Sequence, residues 1–396
     1  MKKLEKSVPV IRFKGFSDAW EQRKLGEDVN FLNGRAYSQK ELLDKGKYKV
    51  LRVGNFNTND RWYYSDLELE ENKYANRGDL LYLWATNFGP EIWNQEKVIY
   101  HYHIWKLKIM NINVSKQYLY TWLITDKERI KQSTNGTTMV HVTKGHIEQR
   151  EFQIPPNLTE QQKIGTFFKQ LDDTIALHQR KLDALKLMKK GFLQQMVTKS
   201  GENIPKIRFD DFDDIWEQRI LGEFLKESKI KGSNGSLAKK LTVKLWRKGV
   251  VPKEEIYTGS SATQYYIRKT GQFMYGKLDF LNQAFGIVPL ELDGYESTLD
   301  SPAFDIEESL NETFLLEYVS LARFYKYQGN IANGSRRAKR IHTDTFFEMP
   351  IPLPNSNEQQ KIGTFSQQID DLITLQQNKL EKLSSLKRFY LKNMFI

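Results

Sequence analysis

Glu160-Gln161-Gln162-Lys163-Ile164-Gly165-Thr166-Phe167 occurs twice, and the run Glu358-Gln359-Gln360-Lys361-Ile362-Gly363-Thr364-Phe365 repeats it letter for letter. Both copies carry helix-start chemistry. Thr159 stands three residues before Gln162, and Asn357 three before Gln360, so each pairs a capping side chain with a Gln able to bond back. Beyond the caps, apolar residues recur at alternating steps of four and three. They are Ile164, Phe168, Leu171, Ile175, Leu182, Leu185, Phe192 and Met196, then Ile362, Ile369, Ile373, Leu380, Leu383, Tyr390 and Met394. That is a heptad seam sustained over about five heptads. Each helix would be roughly 57 Å long at 1.5 Å per residue. A lone helix cannot bury such a seam, so the spacing predicts two long antiparallel helices forming an intramolecular coiled coil. Two unrelated amphipathic helices, each packed on its own domain, are the alternative. Polar residues interrupt the seam at matching heights, His178 with Gln376 and Lys189 with Lys387. Polar seam positions set register or accept an outside partner. With Phe167 and Phe365, which lie off the seam, these are the candidate partner-docking residues.

Composition bounds the rest. A chain of 396 residues suggests two or three domains, and 39% apolar residues with abundant Trp, Tyr and Phe permit sizeable cores. Sixty Lys and Arg against 49 Asp and Glu leave a net charge of +11, which favours a polyanionic partner, most often nucleic acid. The absence of Cys removes disulfides and thiolate metal sites and fits a reducing cytosol. No apolar run approaches a membrane span, and Met1-Lys-Lys-Leu-Glu lacks the apolar core of a signal peptide, so a cytoplasmic protein is expected.

A second repeat begins near the N-terminus. Ile11-Arg12-Phe13, Trp20-Glu21-Gln22-Arg23 and Leu25-Gly26-Glu27 return as Ile207-Arg208-Phe209, Trp216-Glu217-Gln218-Arg219 and Leu221-Gly222-Glu223. Alternation around Ile11 and Phe13 suggests a short strand, and Trp20 a core anchor. The chain therefore reads as arm, variable block and long helix, twice over: a first domain at 1–156, a helix at 157–200, a second domain at 201–354 and a helix at 355–396. The fold class is α+β with an internal pseudo-two-fold repeat. The variable blocks hardly resemble one another. Leu80 to Trp84, Val98 to Tyr100 and Ile104 to Leu107 predict strands, and Tyr118 to Asp126 and Phe314 to Tyr325 predict helices. One feature aligns: Asn135-Gly136 precedes Thr137-Thr138-Met139-Val140-His141, and Asn333-Gly334 precedes Ser335-Arg336-Arg337-Ala338-Lys339-Arg340.

On these residues the chain resembles the specificity subunits of type I restriction–modification systems. The resemblance is carried by the doubled arm ending Trp-Glu-Gln-Arg-x-Leu-Gly-Glu, by Ile154-Pro155-Pro156 and Pro350-Ile351-Pro352-Leu353-Pro354, by the two Glu-Gln-Gln-Lys-Ile helices, and by two unlike blocks alternating with two like helices. It implies a non-catalytic subunit that binds double-stranded DNA, each block recognising half of a split, asymmetric target. The helices would act as a ruler and as a dock for two modification methyltransferase subunits. It implies no cofactor on this chain. Partner subunits would use S-adenosylmethionine, and a restriction motor-nuclease, where one accompanies the complex, ATP with Mg.

The residues agree independently with a non-enzymatic role. An adenine methyltransferase needs an Asn/Asp-Pro-Pro-aromatic loop, and Pro155-Pro156 lies instead between Ile154 and Asn157; no phosphate-cradling Gly-x-x-x-x-Gly-Lys-Ser/Thr loop exists. His101 and His103 would share a strand face, but no third zinc ligand is evident. Base readout needs Arg or Lys for guanine, Asn or Gln for adenine, and small or apolar groups for the thymine methyl. Candidates in the first block are Arg35, Tyr37, Arg52, Asn55, Asn57, Thr137, Thr138 and His141. In the second they are Lys229, Lys231, Asn234, Lys239, Arg268, Lys277, Arg336, Arg337, Lys339 and Arg340. Two other readings stay open: a coiled-coil scaffold with no DNA readout of its own, and a nucleic-acid enzyme with an unfamiliar site.

Overall fold

The computed structural model describes residues 8–56, 59–85, 87–133, 142–199, 201–254, 260–331 and 340–395. The two long helices are Leu158–Met196 and Ser356–Met394, 39 residues each. The chain divides into two compact units, residues 1–179 with 379–396, and residues 180–378. This differs from the four-part division expected from the sequence. Each helix is shared between the units, because its ends are buried in the cores of the domains. Ile164, Phe168 and Met394 belong to the core of unit one, and Leu193, Met196 and Ile362 to that of unit two.

Within each unit the two helix segments run in opposite directions. In unit one Phe167 meets Tyr390 edge-on at 5.0 Å, and Lys387 pairs with Asp172 at 2.5 Å. In unit two Phe192 meets Phe365 at 5.6 Å, and Lys189 pairs with Asp370 at 2.5 Å. The seam is buried or half-buried at every apolar position named for it, and at His178, Lys189, Gln376 and Lys387 as well.

The helix starts lie slightly earlier than the sequence suggests. Asn157, not Thr159, caps the first helix, its side-chain oxygen accepting from the N–H of Thr159 at 2.9 Å and of Glu160 at 3.3 Å. Asn355, not Asn357, caps the second, accepting from Glu358 N–H at 3.0 Å. The residues of the octapeptide have other partners. Arg12 grips the buried Glu160 with two bonds of 2.6 and 2.8 Å, and Arg208 grips Glu358 with two of 2.8 Å. The buried Gln161 donates to the carbonyls of Asn113 and Pro155 and accepts from Ser115 N–H; Gln359 does the same with Ser309, Pro354 and Asn311. A side chain on Gly165 would meet the backbone of Gln117 at 2.9 Å, and one on Gly363 the Asn311 oxygen at 2.9 Å. The repeated octapeptide is thus the joint by which each helix is stitched to its arm and domain.

The arm is not a strand at Ile11 to Phe13. The strand begins later, at Glu21–Lys24, and pairs antiparallel with Glu151–Ile154; its counterpart Glu217–Ile220 pairs with Pro350–Leu353. Phe13 instead packs edge-on against Phe167 at 6.1 Å, and Phe209 against Phe365 at 6.3 Å.

The two blocks share a sheet that their sequences conceal. In unit one the antiparallel order is Val29–Asn33, Ile104–Ile109, Leu80–Leu83, Gly89–Ile92. In unit two it is Leu225–Ser228, Ala303–Ile306, Phe273–Tyr275, Phe285–Ile287. The expected helix at Tyr118 to Asp126 extends over Lys116–Ser133, whereas that at Phe314 to Tyr325 is two, Glu312–Val319 and Ala322–Ile331. Between those two helices Ser320 turns its hydroxyl back onto the Leu316 carbonyl at 2.6 Å.

Candidate nucleic-acid interface

In unit one, candidates from separate segments converge where strands of the shared sheet end beside strands of a second one, ordered Tyr63–Ser65, Tyr48–Leu51, Val98–Tyr100, Tyr74–Ala75. Leaving Val29–Asn33, the chain passes so close to the turn after Val98–Tyr100 that a Cβ on Gly34 would lie 2.3 Å from the His101 carbonyl oxygen. Arg35 N–H then donates to Tyr100 at 3.1 Å, and Tyr102 N–H to Arg35 at 3.1 Å. Arg35 also pairs with Glu41 at 2.6 Å and lies over the Tyr37 ring at 5.2 Å. Burial pushes the Tyr37 hydroxyl upward, so it stays a neutral phenol. Arg52, just past Tyr48–Leu51, lies over Tyr63 at 4.2 Å, and Arg61 approaches the same ring at 5.0 Å. Asn55 braces this loop from within. Its oxygen accepts from Arg52 N–H at 3.0 Å, and its amide donates to the carbonyls of Asn59 and Arg61 at 3.3 and 3.1 Å.

Side chains not among the sequence candidates complete the cluster. Trp84 follows Leu80–Leu83, its indole N–H donating to the Tyr102 carbonyl at 2.7 Å and its ring packing on His103 at 4.8 Å. The rings of His101, Tyr102 and His103 pack against one another tilted by 40 to 55°, with centroids 4.0 to 4.9 Å apart. Burial, followed by the nearby His103 and Arg52, pushes His101 down to about 4. Val142, the first described residue after Thr137, Thr138 and His141, donates its N–H to the Trp84 carbonyl at 3.0 Å. Asn57, Thr137, Thr138 and His141 themselves lie outside the described residues.

Unit two repeats the placement with different chemistry. Lys277 follows Phe273–Tyr275 as Trp84 follows its strand, and Ile341 N–H donates to the Lys277 carbonyl at 3.0 Å as Val142 does to Trp84. Lys277 is half-buried. Burial lowers it, opposed by the acids Glu227 and Asp300 and reinforced by Arg340 and Lys229. Arg340 reaches Asp300 at 3.4 Å, and the exposed Lys229 pairs with Glu227 at 2.8 Å. Lys231 lies exposed in the first strand of a separate three-stranded sheet, Lys239 is exposed beyond it, and Asn234 folds back to accept from Ser236. Arg336, Arg337 and Lys339 lie outside the described residues.

One candidate is misplaced. Arg268 is fully buried, donating to the Ser297 hydroxyl at 2.7 Å and the Ser228 carbonyl at 2.9 Å, and burial lowers it to about 10. Its work is to brace the fold of unit two, since an Arg with carbonyls filling its fork has nothing left for a duplex.

The docking candidates are mostly occupied as well. Phe167 and Phe365 are half-buried against their arms, and Lys387 is held by Asp172. Lys189 bonds the buried Glu317 at 2.9 Å and Asp370 at 2.5 Å. His178 and Gln376 are half-buried in the seam. No group of three or more His, Cys, Asp or Glu suited to a metal occurs among the described residues, and none of their helices is long and apolar enough to cross a membrane.

Two units presenting unlike polar surfaces at the same strand ends, each stitched to a pair of long helices, define a class of protein. The family model described as type I restriction modification DNA specificity domain matches residues 17–187 and 303–385, more than half of the chain, which therefore belongs to this family of DNA sequence-recognition proteins. The chain is 23% identical over 388 residues to the type I restriction enzyme MjaVIII specificity subunit of Methanocaldococcus jannaschii, covering 93% of this chain and 90% of that one. A crystal structure of the type I restriction–modification S subunit from M. genitalium superposes with a TM-score of 0.65 at 12% identity, covering 98% of this chain and 99% of that one. A second solved structure, from work on the structural basis of complex assembly and conformational transition of the type I R-M system, gives 0.55 at 14% identity, covering 94% of this chain and 96% of that one.

Proposed function

We propose that the chain recognises a split, asymmetric DNA target, unit one reading one half-site and unit two the other. On this reading the long helices carry two modification methyltransferase subunits, and methyl transfer and cleavage reside in partner subunits. The observation that supports it most is the shared sheet order with unlike residues after corresponding strands: Arg35 and Trp84 in one unit, Lys229 and Lys277 in the other. A common frame displaying different side chains is what two independent readers require, since side chains at base edges set sequence and cations at phosphates set position. The net charge of +11 suits the phosphate contribution.

The docking surface on this reading moves from Phe167 and Phe365 to the solvent faces of the helices. Leu372 and Leu375 in unit two, and Leu386 and Phe389 in unit one, are all more than 40% exposed and recur in the same helical phase two heptads apart. A modification-subunit helix in each unit would cover them.

The test of the modular reading is replacement of residues 224–345 by the equivalent block of a relative, followed by sequencing of the methylated motif in cells. One half of the motif should change. A change in both halves would mean that the blocks read jointly. A scaffold without readout would give no sequence-selective binding at all.

A further inference from the structure

We infer that the turn His101-Tyr102-His103, backed by Trp84, is the base-reading element of unit one. The inference rests on the split-target reading above and assigns a part of it to particular side chains.

The turn is rigid before anything binds. His101 N–H donates to Leu51, Tyr102 N–H to Arg35, Ile104 N–H to His101 and Trp84 N–H to His103, all between 2.9 and 3.2 Å. The Trp84 indole adds its bond to the Tyr102 carbonyl at 2.7 Å. A backbone held this firmly pre-places the side chains it carries, which favours them as recognition groups. Tyr102 is 41% exposed, an aromatic kept at the surface although its neighbours Tyr100 and Ile104 are fully buried.

The surroundings separate two kinds of contact. Arg35, bonded through its backbone to Tyr100 and Tyr102, and Arg52, whose charge acts on His101, stand beside the turn as cations suited to phosphates. Burial pushes the His101 imidazole down to about 4, so it presents one donor and one acceptor, and the Tyr102 hydroxyl presents both functions. Neutral donor–acceptor groups beside cations match base edges beside phosphates. Beside the turn, the buried Arg35 Nη1, Tyr37 OH and Arg52 Nε have no hydrogen-bond partner among the described residues. Buried polar atoms are rarely left so without a reason. A structural role alone would explain Trp84, whose indole is bonded inward, but not the outward ring of Tyr102.

The experiment uses the full chain assembled with its modification subunits and a pool of duplexes randomised over the whole target. Selection by binding is compared for wild type, Tyr102→Ala, His103→Ala and, as a phosphate-contact control, Arg52→Ala. The expected result for the two turn variants is loss of about tenfold or more in discrimination at positions within one half-site, with the other half-site and the salt dependence unchanged. Arg52→Ala should instead weaken all sequences alike and flatten the salt slope. Should Tyr102→Ala or His103→Ala lower the melting temperature, His103→Gln, which keeps bulk and polarity, decides by the same readout. Unaltered preference at every position, or uniform weakening of all sequences, overturns the assignment. If the wild type selects an unsplit motif, the split-target reading fails, while the turn is still judged by whether its variants change any position of that motif.

Discussion

Glu317 shows how much one side chain can hold. It is nearly inaccessible, and it takes bonds from Arg247 at 2.5 and 2.8 Å, Lys189 at 2.9 Å and the Ser366 hydroxyl at 2.6 Å. Burial alone would raise its titration, but Arg247, with Lys189 and Ser366, overrides this and holds it at about 2. Trp246 and Arg247 adopt left-handed backbone with φ of 59° and 56°, a conformation that costs of order 1–3 kcal/mol each in non-glycine residues. The bonds of the Arg247 side chain to Glu317 compensate that strain. The ordinary value of a glutamate here is 4.5, so the carboxylate's stabilisation is complete above about pH 4.5 and is lost as pH falls through about 2. Glu317→Gln should lower stability by about 3 kcal/mol near neutrality, because it leaves buried cations unpaired. Thermal melting of wild type and variant between pH 2 and 7 should show a gap that is constant above about pH 4.5 and narrows below it. A gap that stays constant down to pH 2 would refute the ion-pair account.

At the scale of the element, the long helices were almost wholly legible. A three-four spacing over about five heptads has one physical meaning, and every named seam position is buried or half-buried. Their joints were visible as a repeat but not as an interaction, since nothing local says that Glu160 waits for Arg12 or Gln161 for Ser115. The shared sheet was invisible, because strands of three to six residues specify little beyond burial and different apolar residues satisfy the same pleat. The same ambiguity misplaced Arg268, whose internal carbonyl acceptors, Ser228 and Thr298, are distant in sequence. The turn at His101 was passed over for a related reason: two His on a strand suggest a metal, and only the fold shows Trp84 and Arg35 beside them. For the helices the reading has a direct consequence. Leu375→Asp or Phe389→Asp, at exposed positions, should leave melting within about 0.5 kcal/mol of wild type yet lose one modification subunit per complex. Sedimentation of the assembled complex checks it, and two partners retained by both variants would place the dock elsewhere.

For the whole molecule, the gap between half-sites is proposed to depend on the length of two helices that each begin in one unit and end in the other. Deleting Leu182 to Met188 together with Leu380 to Leu386 removes one heptad from each, about 10 Å, and keeps the seam nearly in register. Both half-site sequences should survive, and the unspecified gap should shorten by up to about three base pairs at roughly 3.4 Å each. An active variant that keeps the original gap, read from its methylated motif, would leave the helices as a dock alone. The division into units also governs how the protein comes into being on the ribosome. Unit two is one continuous run, residues 180–378, whereas unit one needs Met394 and Phe395 in its core and the Asn393 carbonyl for Ile11 N–H. Residues 8–179 must therefore wait for residues 379–395, which follow unit two in the chain. Through most of synthesis the arm and block of unit one stand with an open apolar face, and unit two can complete its fold beforehand. A chain interrupted within 379–396 would then hold a finished unit two and an unfinished unit one, with proteases cutting preferentially in the segment before residue 180.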